Sequence, residues 1–252
     1  MIHLEVDLHT HTVASRHAYS TVKEMAEAAA AKGIKVMGVT DHGLRMPGGP
    51  HEYHFANLAA VPRYLMGVEI LRGVEANIID ANGRLDMPVS ILRHLDLVLA
   101  GFHEGCGYES GTVEENTRAM VAALHNPFVH AIVHPGNPDY PVDLERVVLA
   151  AKACGKALEI NNKSFTTSRP GSKPNCLRLA RLAKKYQLMV VINSDAHVFS
   201  SVGVCDEALE VAREAGLEPD QILNTSAERS LAYLAYHRST SPNITIFRER
   251  AG

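Results

Sequence analysis

Asp7-Leu8-His9-Thr10-His11 closes the short strand-like run His3–Leu8 and places two imidazoles two residues apart. On extended backbone, residues i and i+2 face the same side. His9 and His11 can therefore share one ion, a geometry that zinc, manganese and iron all accept. Alone, the pair is a weak signal and more often marks two surface histidines near a turn. Its company decides the reading: six further apolar runs also end in residues able to bind a metal. These ends lie at His42, Glu75, His103, His134, Glu159-Ile160-Asn161 and Asp195-Ala196-His197. Ligand-type residues at repeated strand ends, far apart in sequence, describe a barrel whose strands converge on a metal cluster at one mouth.

The rest of the chain alternates accordingly. Strands are expected at Leu4–Leu8, Ile34–Thr40, Val68–Ala76, Leu95–Phe102, His130–Val133, Ala157–Ile160 and Met189–Ile192. Each is a continuous apolar run, the pattern of strands buried on both faces of a parallel sheet. Between them lie helix signals. Thr21 with Glu24 and Thr112 with Glu115 have capping-box spacing, the second opening a helix to about Leu124. Val22, Met25, Ala26 and Ala29 fall in helical phase, as do Leu144, Val147, Val148 and Ala151 after Asp143, and Cys176, Leu179, Ala180 and Ala183. Ala81-Asn82-Gly83 reads as a hairpin turn. Seven strand–helix units make an α/β barrel one unit short of the usual eight, in a single domain over 1–237. Residues 238–252 form a polar C-terminal tail, with Ile244–Phe247 its one candidate edge strand.

Composition agrees. The 252 residues match the ~250 typical of such barrels. With 46% hydrophobic and 21% charged residues, the balance is that of an ordinary globular domain. A net charge of -3 with both signs interspersed advertises no nucleic-acid surface. No apolar stretch reaches the ~18 residues of a membrane span. The N-terminus enters a charged strand at once, without a signal peptide, so cytoplasm is the expected location. Four cysteines without a C-x-x-C make disulfides unexpected, whereas 14 histidines are unusually many.

Asp7-Leu8-His9-Thr10-His11-Thr12, Thr40-Asp41-His42, Val133-His134-Pro135-Gly136 and Asn193-Ser194-Asp195-Ala196-His197 together resemble the PHP (polymerase and histidinol phosphatase) superfamily. Arg72-Gly73-Val74-Glu75-Ala76-Asn77, Ala100-Gly101-Phe102-His103-Glu104, Glu159-Ile160-Asn161-Asn162 and Ser168-Arg169-Pro170-Gly171-Ser172 bring the resemblance closest to its stand-alone bacterial YcdX-type phosphatases. The likeness extends to about His237. It implies a distorted, TIM-like (β/α)7 barrel with three divalent ions at the mouth, most readily Zn2+, with Mn2+ or Fe2+ as alternatives. It further implies that His9, His11, Glu75 and Asp195 hold the first ion. Glu75 would bridge to a second, also held by His103 and His134, and His17, His42 and His197 would hold the third. A homo-oligomer, in trimeric form, is implied by the resemblance alone.

The expected chemistry is hydrolysis of a small phosphate monoester by a metal-bridging hydroxide, with Glu75 and Asp195 in the catalytic set. His54, flanked by Tyr53 and Phe55, is the candidate proton donor. Arg169, Asn161 and Ser164 are the candidate substrate ligands, Arg169 by clamping phosphate. Asp7 and Asp41, each close to a ligand in sequence, are candidates to orient histidines through their second nitrogen. The alternatives are a histidinol-phosphatase-type enzyme, a PHP phosphodiesterase, for which the charge balance offers no basic groove, and a metal-binding scaffold without catalysis. An amidohydrolase would normally have eight strands and often a lysine after strand four, where this chain has His103.

Overall fold

The computed structural model describes residues 2–240. Strand β1 (Val6–Thr10) leads through helix α1 (Val22–Ala31) to β2 (Val36–Val39). The short helix α2 (Glu52–Ala56) follows, then a two-residue β3 (Tyr64–Leu65) hairpinned against the long β4 (Val68–Asn77). After α3 (Val89–Leu92) the alternation is regular: β5 (Leu97–Gly101), α4 (Val113–Leu124), β6 (Ala131–Ile132), α5 (Leu144–Cys154), β7 (Ala157–Asn161), α6 (Ser172–Tyr186), β8 (Val190–Asn193) and α7 (Asp206–Glu214). The last described element, α8 (Ala227–Thr240), continues three residues past the expected start of the tail. There Arg238 pairs with Asp96 at 2.7 Å. The candidate strand Ile244–Phe247 lies outside the described residues.

The local signals act as expected. Thr21 and Thr112 each accept from the backbone three residues on, and Glu24 and Glu115 return the bond. Asp143 caps α5, and Gly83 turns a hairpin in which Ile78 pairs with Leu85. β3 and α3 have no counterpart in the sequence pattern, because segments so short show no period.

β1, β2, β4, β5, β6, β7 and β8 pair in parallel in that order. They form a nearly closed seven-stranded barrel. At the seam, side chains replace part of the ladder. Asn193 Oδ1 accepts from Leu8 N (2.9 Å), and the fully buried Asn224 donates to Val6 O and Ile192 O while accepting from Ile192 N. All seven strands contribute to one apolar cluster that includes Val6, Leu8, Val36, Leu71, Leu97, Leu99, Ala157 and Val191. Leu234 of α8 joins it, and Tyr233 of the same helix bonds His130 O and Ala157 N at the starts of β6 and β7. α8 thus plugs the N-terminal end of the barrel and leaves the C-terminal mouth for chemistry. A larger apolar layer packs between the sheet and the outer helices.

Candidate metal centre

The polar strand ends meet at that mouth. Glu75, fully buried near the end of β4, lies at the centre. Its Oε1 is 2.8 Å from His134 Nε2, 3.0 Å from His103 Nε2 and 3.3 Å from His9 Nε2. Its Oε2 is 2.8 Å from His42 Nδ1 and 3.4 Å from His11 Nε2. Asp195 Oδ1 faces His11 at 3.4 Å, His197 at 3.3 Å and His9 at 3.8 Å. His17 reaches the group from the loop after β1, 3.1 Å from His42. All nine expected ligands therefore form one connected cluster.

Its tightest groupings are His9–His11–Asp195, His42–Glu75–His103 and His11–His42–His197. These differ from the expected partition at two places: His42 joins Glu75 and His103, and His11 joins His42 and His197. His134 remains on Glu75 and His17 on His42.

The second nitrogens show that the cluster suits cations. His9 Nδ1 donates to Glu159 Oε1 at 2.8 Å. Ser15 donates to Asp41 at 2.7 Å and so accepts from His11 Nδ1 at 3.3 Å. His197 Nδ1 donates to the Asp195 carbonyl at 3.0 Å. A histidine donating through Nδ1 keeps its lone pair on Nε2, and in His9 and His11 it is Nε2 that faces the carboxylates of the cluster. His9 Nε2, His11 Nε2, His42 Nδ1 and Glu75 Oε2 are buried close to one another yet form no hydrogen bond of good geometry, an arrangement that is costly unless another group satisfies them. Carboxylates behind imidazoles are the usual supports of metal ligands. The donor set fits divalent metal ions.

Electrostatics agree. Burial first, then His42 and His197, hold the His11 pKa well below its ordinary value. Burial likewise lowers His134 to about 3 and His197 to about 4, so these rings present lone pairs. His9 is the exception. Burial opposes its protonation, but Glu159, Glu75 and Asp195 outweigh burial and raise its pKa. Burial raises the pKa of Glu75 and Asp195; the surrounding histidines overcome that, aided at Asp195 by Arg169 and Lys163, and keep both carboxyls ionised.

Backbone strain falls on the same residues. His134 has φ +37°, Asp195 φ +53° and Arg169 φ +52°, conformations that non-glycine residues rarely adopt and that cost about 1–3 kcal/mol each. Space is reserved too: a Cβ on Gly101 would stand 2.7 Å from His134 Cε1.

The residues around the cluster are differently placed. Arg169 Nη1 donates to Asp195 Oδ2 (3.2 Å) and Ser164 Oγ (3.3 Å), at the edge of a cavity beside His103. Asn161 donates to Glu159 and Asp195 (3.1 Å each) and accepts from Ser164 N and Oγ. Those four contacts use the full hydrogen-bonding capacity of its side chain within the protein. The buried Ser164 braces Asn161 and Arg169 in the same way. His54 Nε2 lies 3.2 Å from Asp41 Oδ2, so its link to the cluster runs through Asp41, Ser15 and His11. Asp41 supports His11 as the sequence suggested. Asp7 instead accepts from Ser194 and Gly203 and ties the β8 loop to β1.

Two participants escaped the sequence reading. Glu159 appeared there only as a strand end, yet it supports His9 and accepts from His134 N at 2.8 Å. Its signal was a lone carboxylate inside an otherwise apolar strand. Lys163, with Nζ 3.9 Å from Asp195 Oδ1, lines a second cavity of about 450 Å³ with His197; no motif marks it.

A parallel α/β barrel with carboxylates and imidazoles gathered at its C-terminal mouth belongs to the class of metal-dependent barrel proteins. The PHP domain model matches residues 7–198, and the chain belongs to the PHP domain family. A protein of Acetivibrio thermocellus named "Probable phosphatase" is 51% identical over 229 residues, covering 91% of this chain and 94% of the relative. One of Shewanella amazonensis with the same name is 46% identical over 245 residues, covering 96% and 97%. The crystal structure of histidinol phosphate phosphatase from Lactococcus lactis, complexed with Zn, L-histidinol and phosphate, superposes with TM-score 0.60 at 16% identity. It covers 85% of this chain and 94% of that one, and shows the shared fold. Among the described residues no helix is long and apolar enough to cross a membrane.

Proposed function

We propose that this protein is a phosphatase that hydrolyses phosphate monoesters at a centre of three divalent ions. His9, His11, His17, His42, Glu75, His103, His134, Asp195 and His197 would hold the ions, with Glu75 shared. The observation that carries the reading is Glu75, one buried carboxylate within 3.4 Å of five imidazoles, flanked by the Asp195 cluster and two side-chain cations. Bound divalent ions supply a water acidified from 15.7 toward ~7 and positive charge against phosphoryl oxygens.

The chain's own residues do the rest. Arg169 spends only Nη1 on Asp195 and Ser164, so its Nε and Nη2 remain to donate to a phosphate. Lys163 adds charge on the other oxygen of Asp195. Both favour an anionic substrate. Asn161 and Ser164 keep Asp195 and Arg169 in position. His54 acts through Asp41, holding Ser15 and thereby His11, rather than as the proton donor suggested by the sequence; its observed partner is that carboxylate. Phosphoryl transfer asks mainly for positioning and charge stabilisation, which this frame provides.

The test compares p-nitrophenyl phosphate with bis-p-nitrophenyl phosphate, using protein stripped by chelator and reloaded with zinc or manganese, with bound metal measured in parallel. Monoester hydrolysis that disappears on stripping and returns on reloading is expected. Activity on the diester alone would overturn the monoesterase reading, and a full metal complement without activity would favour a scaffold. Arg169→Ala should raise KM for the monoester about tenfold.

A further inference from the structure

Beside the cluster, next to His103 and Arg169, opens a chamber of about 520 Å³, within the range of small-molecule sites. Phe102, Asn137 and Tyr140 line its interior. Asn137 and Tyr140 are only 8% and 7% exposed. Asn137 Oδ1 accepts from Asp139 N at 3.1 Å, but its Nδ2 has no partner among the described residues, and neither has the Tyr140 hydroxyl. Polar groups that line a cavity and have no protein partner are free to bond a ligand there.

The walls are stiff. Tyr140 stacks on Phe102 at 5.0 Å and 13°, and Phe102 stacks on Tyr108 at 4.8 Å and 21°. At the rim stand three exposed carboxylates, Glu104, Glu109 and Asp139. Burial first, then Glu109, Cys106, Glu104 and Asp139, push the Tyr140 pKa up to about 12, so its hydroxyl stays protonated and able to donate.

We propose that this chamber holds the alcohol part of the substrate and that this alcohol is a neutral polyol, making the substrate a sugar or polyol monophosphate. The proposal rests on the phosphatase reading above. Hydroxyl groups both donate and accept, so they can accept from Asn137 Nδ2 and Tyr140 Oη and donate to the rim carboxylates. A second phosphate or a carboxylate on the leaving group would meet three like charges at the rim. An ammonium group would suit the exposed rim and could donate to Tyr140 Oη, but it offers no acceptor to Asn137 Nδ2, whereas a hydroxyl serves both.

The metal-loaded protein would be assayed on p-nitrophenyl phosphate, ribose 5-phosphate, glucose 6-phosphate, phosphoethanolamine and 3-phosphoglycerate. The sugar phosphates should exceed phosphoethanolamine and 3-phosphoglycerate at least tenfold in kcat/KM. Tyr140→Phe and Asn137→Asp should each lower the ratio of sugar-phosphate to p-nitrophenyl-phosphate kcat/KM about tenfold, mainly through KM, as for one lost buried hydrogen bond. Both substitutions nearly preserve shape, and circular dichroism checks the fold. Equal rates across the substrates, a preference for phosphoethanolamine, or a ratio unmoved in both variants would overturn the chamber proposal while leaving the phosphatase reading intact. No hydrolysis of any monoester, p-nitrophenyl phosphate included, would overturn both.

Discussion

Glu159 Oε1 lies 2.8 Å from Nδ1 of His9, with both side chains fully buried. The contact sets which nitrogen of His9 faces the cluster, and Asn193 and Asn161 hold the carboxylate from behind. Replacing a support of this kind typically costs 10–100-fold in metal affinity or activity. Glu159→Gln, close in shape but uncharged, should lose metal at 10–100-fold lower chelator concentration while retaining its circular dichroism. A variant that holds metal as tightly as the parent would leave Glu159 a purely structural role.

Gly101 makes room for His134. A methyl group there meets His134 Cε1 at 2.7 Å and Val133 Cγ2 at 2.8 Å, and overpacking of this kind costs about 1–3 kcal/mol. Gly101→Ala should depress monoesterase activity at least tenfold by displacing a ligand and should also lower Tm. Steady-state kinetics and a thermal melt together check this, and full activity in a folded variant would contradict the placement of His134.

Asp143 offers a contrast away from the mouth. It caps α5 by accepting from Glu145 N at 3.1 Å and Arg146 N at 3.2 Å. Asp143→Ala should cost about 1 kcal/mol, roughly 2–4 °C in a domain of this size, with kcat and KM unchanged. A calorimetric scan beside an activity assay measures both.

His130 couples stability to pH at the closed end of the barrel. Burial first, then His237, Lys156 and Arg238, lower its pKa to about 3, and its Nδ1 accepts from Val98 N at 3.0 Å. The unfolded chain binds this proton near pH 6.5 and the folded chain only near 3. Stability is therefore fully present above about 6.5 and falls as pH drops toward 3, by up to about 1.4 kcal/mol per pH unit. In urea titrations of chelator-treated protein between pH 7 and 4, His130→Asn should lose stability less steeply than the parent. Parallel slopes would refute the assignment.

The strand ends were legible because a buried parallel strand is apolar throughout, so His9, Glu75, His103 and Asp195 stand out against their own runs. The capping boxes at Thr21 and Thr112 were legible for a similar reason, since each is a local contact between residues three apart. The polar loop residues beside Asn161 point to it as a ligand for substrate. Its contacts with Glu159 and Asp195 come partly from another strand, which no local pattern shows. The aromatic neighbours of His54 point it toward the site, but its contact with Asp41 shows in no local pattern.

The sequence by itself determined a seven-unit barrel and the residue types at its mouth, because hydrophobic periodicity and strand-end polarity are properties of contiguous chain. The tertiary structure alone decided which imidazoles share Glu75, which carboxylates stand behind His9 and His11, and that Asn137 and Tyr140 face a chamber with unspent donors. Those relations join residues as far as 150 positions apart, as His9 and Glu159 are joined. Only barrel closure brings such groups within hydrogen-bond reach, where distances of about 3 Å separate a ligand from a support.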